Sequence, residues 1–331
     1  MSLPTRRIGG TSVPIPGWGL MGFSAFYSTD KSDEDFIPNF KVAYEAGCTM
    51  WDTADIYSRS GLGQNERLVA KAMKALKIPR KDIFLCTKFG FGLDMKVHGD
   101  PAYIKQAIER SLKDLEMDYV DLYYQHRVDP NTPIEETVKA MQELKDAGRI
   151  RHIGLSECSA ETLRRAAKVA KIDAVQTEYS LWETSIETNG VLDACKELGI
   201  TLVAYSPLGR GMLSGKFRKH SDLPADDWRR TNPRFSEENF SKNIQLVDQL
   251  ASFAKAKGCT AGQLALAWVH AQWDGIIAIP GTTRIEALEE NIGSVKVELT
   301  KEELKEIRAI LDQFPVAGTR YDAQSLKGLN I

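Results

Sequence analysis

Glu45-Ala46-Gly47-Cys48-Thr49-Met50-Trp51-Asp52-Thr53-Ala54-Asp55-Ile56-Tyr57 holds one full unit of the pattern that organises this chain. A glycine ends an amphipathic helix, a short apolar run over 48–52 reads as a strand, and polar residues begin where that strand gives way to a loop. The unit recurs along the sequence. Strands are predicted over 18–20, 48–52, 83–87, 120–125, 152–156, 173–176, 200–205 and 275–279. Helices with a period near 3.6 residues are predicted over 33–46, 65–76, 101–115, 134–147, 159–169, 189–198, 243–270 and 284–293. The 243–270 stretch reads as two helices broken at Lys257-Gly258-Cys259-Thr260.

Eight strands, each trailed by a helix, point to a parallel sheet in an α/β protein, and the count fits a closed (β/α)8 TIM barrel better than an open doubly wound sheet. Gly17-Trp18-Gly19-Leu20-Met21-Gly22 has the glycine spacing of a dinucleotide-binding turn, but it opens into aromatic and polar residues where a helix should begin. Additions to the barrel are an N-terminal hairpin over 6–14 closing its bottom, a long loop from Pro207 to about Phe240 after the seventh strand, an extra C-terminal helix over 300–311, and an irregular tail from Pro315. No interdomain linker interrupts residues 1–331, which read as one domain.

The bulk composition excludes several function classes. With 43 Lys+Arg against 45 Asp+Glu, nothing global argues for nucleic acid or a membrane surface as partner. No apolar run reaches the roughly 18 residues of a spanning helix, and Met1-Ser2-Leu3-Pro4-Thr5-Arg6-Arg7 lacks the apolar segment of a secretory signal. Cys48, Cys86, Cys158, Cys195 and Cys259 are scattered without a Cys-x-x-Cys pair, which fits free thiols in a reducing, cytoplasmic setting. His98, His126, His152, His220 and His270 form no ligand spacing, so no metal site is expected.

The C-terminal ends of barrel strands build the active site. Asp52 ends the second strand, Tyr57 lies in the loop beyond it, Lys88 ends the third and His126 the fourth. A phenol with an ordinary pKa of about 10 is a poor acid at neutral pH. Asp52 can pair with Lys88, and the ammonium beside Tyr57 is expected to lower the phenol's pKa and make it a general acid. His126 can hydrogen-bond and orient a substrate oxygen. A carbonyl placed among these four would be ready for a hydride from a nicotinamide. Phe23, Tyr27, Phe89 and Trp182 are candidates for an apolar substrate pocket.

These residues resemble the aldo-keto reductase superfamily over roughly 5–312, with wording most similar to its microbial and plant branch of pyridoxal reductases and broad aldehyde reductases (Gly19-Leu20-Met21-Gly22, Tyr179-Ser180-Leu181-Trp182, Ser206-Pro207-Leu208-Gly209-Arg210-Gly211). The resemblance implies NADPH-dependent reduction of a small-molecule carbonyl substrate, with Asp52, Tyr57, Lys88 and His126 as the catalytic residues. It implies cofactor contacts at Gly19 and Met21, and a carboxamide site at Ser156, Glu157 and Gln176. It also implies that Tyr205 stacks on the nicotinamide, and that Ser206 through Gly211 with Leu213 and Lys216 forms a pyrophosphate loop. Gly281, Thr282, Thr283 and Arg284 with Glu290 and Asn291 form an adenosine segment. Here Glu157 stands where better-known relatives have asparagine, and Gly281, Thr282 and Ala287 replace polar or basic groups, so a 2′-phosphate clamp rests largely on Arg284.

Two other functions share parts of this pattern. A barrel lyase or aldolase would use Lys88 as a Schiff base, although a salt-bridged lysine is a poor nucleophile. A non-enzymatic redox sensor similar to channel-associated β-subunits would keep the same four residues. Oligomeric state and physiological substrate are not encoded in these motifs.

Overall fold

The computed structural model describes residues 2–27 and 31–331; Met1 of the N-terminal stretch and residues 28–30 of the first loop lie outside it. The hairpin is β1 (Thr5–Ile8) and β2 (Thr11–Pro14). The barrel strands are β3 (Trp18–Gly19), β4 (Met50–Asp52), β5 (Phe84–Phe89), β6 (Val120–Gln125), β7 (Ile150–Ser156), β8 (Ala174–Glu178), β9 (Thr201–Tyr205) and β10 (Ile276–Ala278). Each pairs in parallel with its successor, from β3 to β10.

The curled sheet closes on itself at a seam made by glycine. Gly17 N donates to Ala278 O at 3.0 Å, Gly19 N donates to Pro280 O at 3.2 Å, and Gly19 bridges Gly281 in parallel. A Cβ on Gly19 would lie 2.9 Å from Ile279 O, and one on Gly281 would lie 3.0 Å from Gly19 O. The glycines of Gly17-Trp18-Gly19 therefore serve barrel closure, and the chain continues into a short 3-10 turn at Met21–Phe23.

Between the strands run α1 (Asp33–Glu45), α2 (Gln64–Leu76), α3 (Pro101–Leu115), α4 (Ile134–Asp146), α5 (Ala160–Ala167) and α6 (Val191–Leu198). Their apolar stripes, such as Leu68, Val69, Ala72 and Met73 on α2, pack on the outer face of the barrel. Each such side chain taken fully from water contributes about 1.5–3 kcal/mol. The predicted 243–270 stretch is two helices, α7 (Glu237–Lys257) and α8 (Ala261–Ala271), broken at Gly258, whose φ is 79°. α7 starts six residues earlier than periodicity suggests because Ser236 caps it, accepting from Asn239 N at 3.3 Å. α9 (Ile285–Gly293) and α10 (Lys301–Gln313) follow, and the tail expected to be irregular contains a short helix, α11 (Ala323–Leu326).

Inside the barrel, Ile8, Val13 and Ile15 of the hairpin region pack against Met50, Phe84, Leu122, Tyr124, Val203 and Ile277. Arg6 donates to His270 O at 2.6 Å and Trp273 O at 3.0 Å, which ties the hairpin to the strand entrances. The N-terminal mouth is thus plugged. Replacing Gly19 by alanine should wedge the seam and lower the unfolding free energy by about 1–3 kcal/mol. A urea midpoint for Gly19→Ala no lower than that of Gly22→Ala, where the nearest atom is 3.5 Å from an added Cβ, would contradict the seam's steric requirement.

Candidate active site

Parallel register sets Asp52 beside Cys86, and Lys88, two residues further along β5, points to the same face beyond the end of β4. The Lys88 ammonium is wholly buried and donates to Asp52 Oδ1, to Thr53 O at 2.8 Å and to Tyr57 OH at 3.2 Å. Its three donors are thereby matched to three oxygens. The second Asp52 oxygen accepts from Gln176 Nε2 at 2.8 Å. The loop carrying Tyr57 is held by Asn65 and Ser24. Asn65 Nδ2 donates to Leu20 O at 3.0 Å and Ser24 Oγ at 2.6 Å, its Oδ1 accepts from Thr53 Oγ1 at 2.6 Å, and Ser24 Oγ donates to Tyr57 O at 2.7 Å. Neither Asn65 nor Ser24 carried a sequence signal, since each reads as an ordinary polar residue in a loop or helix start.

Burial opposes the Lys88 charge, but the Asp52 carboxylate and the Tyr57 oxygen outweigh it and hold the ammonium above the ordinary lysine range. Burial is also the largest influence on Tyr57. It raises the phenol above its ordinary value, with Lys88 opposing. The expectation that Lys88 would bring the phenol down is corrected here: the lysine acts in that direction, yet desolvation wins, and Tyr57 keeps its proton at neutral pH. His126 follows β6, with its backbone N on Phe89 O at 2.7 Å and its ring edge-on to Tyr57 at 5.8 Å and to Phe91 at 5.3 Å. Burial, with Arg127 and Lys88 adding to it, drives its pKa well below that of a free imidazole, so the ring is neutral. Nδ1 is enclosed without a partner among the described residues.

Above these groups a cleft of about 1420 Å³ is lined by Asp52, Tyr57 and His126, with Lys88 behind them. Gly19, Met21, Ser156 and Gln176 lie on its wall, as do Tyr205, Ser206, Pro207 and Leu208. The wall continues through Arg210, Gly211 and Lys216, and then through Gly281 to Arg284 with Glu290 and Asn291. Three residues of the expected set lie off it. Glu157 is turned into the protein, where its carboxylate accepts from Arg320 at 3.0 and 2.6 Å, Tyr205 OH at 2.8 Å and Glu178 N at 3.1 Å. Burial raises its pKa but Arg320 outweighs this, so it stays ionised. Gly209 is covered by the Trp182 ring, 2.5 Å from an added Cβ, and Leu213 is buried.

Of the apolar candidates, Tyr27 lines the cleft, as does Met21, while Phe23, Phe89 and Trp182 do not. Phe23 packs on Trp18 and Phe36, Phe89 on Tyr123, and Trp182 on Phe235. The aromatic wall is instead formed by Phe26, Phe91, Trp228 and Tyr321. Arg210 is held by Glu178 at 3.2 Å and lies over the Trp228 and Tyr321 rings.

The cleft suits an elongated dinucleotide. Ser206, Gly209, Arg210 and Gly211 all have positive φ, so this turn can present backbone donors. At the far end, Arg284 stands at the start of α9, and Asn291 Nδ2 is buried with no partner among the described residues. An eight-stranded barrel with a buried lysine–aspartate–tyrosine cluster at its open end, beside such a cleft, defines a nicotinamide-dependent carbonyl reductase. Residues 17–312 match the model of the Aldo/keto reductase family, and the chain belongs to that family. It is 45% identical over 330 residues to the NADP(+)-linked aldo-keto reductase of Schizosaccharomyces pombe, covering 97% of this chain and 95% of that protein. The glycerol dehydrogenase of Gluconobacter oxydans superposes with a TM-score of 0.83 at 28% identity, covering 96% of this chain and 98% of that one. An aldo-keto reductase from Klebsiella pneumoniae in complex with NADPH superposes with a TM-score of 0.73 at 26% identity, covering 97% and 99%. The protein is an NADP-dependent oxidoreductase that reduces small-molecule carbonyl compounds with NADPH. Among the described residues, no helix is long and apolar enough to cross a membrane.

Near the four polar residues lie two carboxylates that the motif reading left unused. Asp55 and Glu66 are both 0% exposed. Asp55 Oδ2 accepts from Arg110 at 3.2 Å and Glu66 Oε1 from Thr87 Oγ1 at 2.6 Å, while Asp55 Oδ1 and Tyr123 OH have no side-chain partner among the described residues. Burial pushes Asp55 up to about 7 and Glu66 up to about 8. In the unfolded chain both would ionise at about 4. Through the interval from there to the folded values the native state keeps protons that the unfolded chain has released, so stability falls as pH rises. Glu66→Gln should shrink the loss of melting temperature between pH 5 and pH 8. Equal losses in the variant and the parent would show that Glu66 is ionised in the native protein throughout.

Proposed function

We propose that Tyr57 is the proton donor in reversible reduction of aldehydes and ketones to alcohols, and that its substrates are aromatic or pyridoxal-type aldehydes. The observation that carries this reading is the buried Lys88 ammonium shared between Asp52 and the Tyr57 hydroxyl. When bound, NADPH supplies the hydride that reaches the carbonyl carbon. Tyr57, protonated because it is buried, gives its proton to the carbonyl oxygen. Lys88 stabilises the phenolate that this leaves, and Asp52, steadied by Gln176, fixes the ammonium. His126, neutral, hydrogen-bonds the same oxygen through Nε2 and orients it. The aromatic side chains of Tyr27, Phe91 and Trp228 suit a flat substrate.

In the same reading Ser156 and Gln176 hold the carboxamide, and Tyr205, anchored through its hydroxyl to Glu157, presents its ring to the nicotinamide. The turn from Ser206 to Gly211 with Lys216 receives the pyrophosphate. The Gly281–Arg284 segment with Glu290 and Asn291 takes the adenosine, with Arg284 on the 2′-phosphate. Residues 1–331 act as one domain in the cytoplasm.

Tyr57→Phe should lower kcat for aldehyde reduction by about 10²–10⁴-fold and leave NADPH affinity, followed by fluorescence quenching, within a few-fold. A variant that reduces aldehydes at the parental rate would remove Tyr57 from the chemistry. A parent that binds NADPH but turns over no aldehyde would instead favour a redox sensor. Arg284→Ala should weaken NADPH by about tenfold or more, the range of a charge-assisted hydrogen bond, with little change for NADH. Parallel losses for the two nucleotides would take Arg284 off the phosphate.

A further inference from the structure

We propose that Arg127 is an anion-recognition residue of the active site, selecting carbonyl compounds that carry a carboxylate next to the reacting carbon. This inference rests on the carbonyl-reductase reading of the cleft and deepens it by assigning a substrate class.

Arg127 directly follows His126 and lines the cleft with Tyr57, Ser156 and Tyr205. Its Nη1 donates to His126 O at 2.7 Å and, weakly, to Ser156 Oγ at 3.4 Å. Nε and Nη2 donate to no protein atom among the described residues, and neither is sealed from the cleft. A guanidinium presents five N–H groups in a planar fork that matches a carboxylate through two parallel bonds. Here one nitrogen is pinned to the backbone and the remaining donors are open.

The neighbouring guanidiniums are used differently. Arg210 is paired with Glu178, Arg229 with Asp227 and Arg320 with Glu157. Arg127 has no carboxylate within 4.0 Å among the described residues. The groups acting on it from surrounding elements are Tyr205 of β9, Tyr321 of the tail, Glu157 after β7 and Tyr57 after β4. Burial raises the Tyr57 and Tyr205 phenols, so both keep their protons, and the Glu157 carboxylate is already engaged by Arg320. A half-buried cation without a carboxylate partner among the described residues is costly, and the reduced nicotinamide ring expected beside it is uncharged. A carboxylate on the substrate would complete the pair.

Fixed to the His126 carbonyl, the fork stands next to the groups that receive the carbonyl oxygen. A carboxylate directly attached to the carbonyl carbon, as in a 2-oxo acid, is the arrangement this proximity favours. In the reaction, hydride from NADPH forms the new C–H bond, and the π pair of C=O becomes the O–H bond with the Tyr57 proton. NADPH leaves as NADP+, solvent reprotonates Tyr57, and the product is a 2-hydroxy acid. The carboxylate itself gains and loses nothing.

The test compares phenylglyoxylate with its methyl ester, which keeps the shape but removes the charge. Arg127→Met should lower the ratio of kcat/KM for the acid to that for the ester by about 30-fold or more, the cost of removing one partner of a buried charge pair. Arg127→Lys, which keeps the charge without the fork, should fall between. An unchanged ratio, with both substrates and NADPH affinity declining together, would overturn the proposal and leave Arg127 as a support for Ser156. A wild-type enzyme that reduces the ester and benzaldehyde but not phenylglyoxylate would overturn it as well, with the reductase reading intact. Failure on all three carbonyl compounds would count against both.

Discussion

A lysine with no exposed surface must be neutral, or it must be surrounded by oxygens. Lys88 takes the second course, and much of the site is arranged around that requirement. Asp52 supplies the counter-charge, Thr53 a carbonyl and Tyr57 a hydroxyl. Losing one partner of such a buried pair typically costs about 3–5 kcal/mol, so the geometry is tightly constrained. The constraint explains why Gln176, on a strand on the far side of the barrel from β4, reaches Asp52, and why Asn65 and Ser24 pin the loop that carries Tyr57. In the proposed function chemistry and folding share this cluster: the charge that would stabilise a phenolate is the charge the barrel must enclose.

Two further constraints decide what the open end of the barrel can accept. The first is the glycine seam, which lets β3 meet the segment after β10 at backbone distance and brings Gly19 and Gly281 to the cleft wall. The second is the tail. Arg320 grips Glu157, Tyr321 OH lies 3.2 Å from Tyr205 OH, Asn330 N donates to Glu157 O at 2.8 Å, and Ser159 N donates to Ile331 O at 3.0 Å. The chain end is thereby laid along the cleft, and residues far apart in sequence become one wall. Glu157, which sequence comparison with better-known relatives places at the carboxamide, is the anchor of this tail.

The four-residue cluster was legible because strand ends carry few polar groups without reason: Asp52 ends a strand, Lys88 is one residue short of the end of another, and Tyr57 and His126 each follow one. The cofactor segments were legible as motifs, and most of their residues reach the cleft. Orientation was not legible. Phe23, Phe89 and Trp182 read as pocket residues by type and neighbourhood, yet Phe23 and Phe89 pack into the core away from the cleft and Trp182 packs against Gly209 and Phe235 of the long loop, because a strand or turn offers two faces and composition does not choose between them. Phe91, Trp228 and Tyr321 come from loops and the tail, whose paths no periodicity describes. The sign of the Tyr57 shift was missed for a related reason: the charge beside it can be named from sequence, whereas the depth of burial cannot.

By itself the sequence determined the order of elements, the parallel barrel and the four residues at its rim. Apolar periodicity, helix-ending glycines and polar strand ends are local properties, and they survive without coordinates. Only the tertiary structure decided which side chains share the cleft, that burial outweighs Lys88 at Tyr57, that Glu157 belongs to Arg320, and that Arg127 stands among tyrosines with no carboxylate partner among the described residues. Each of these is a balance between desolvation and partners brought from distant segments. Such a balance exists only once the chain has closed around it.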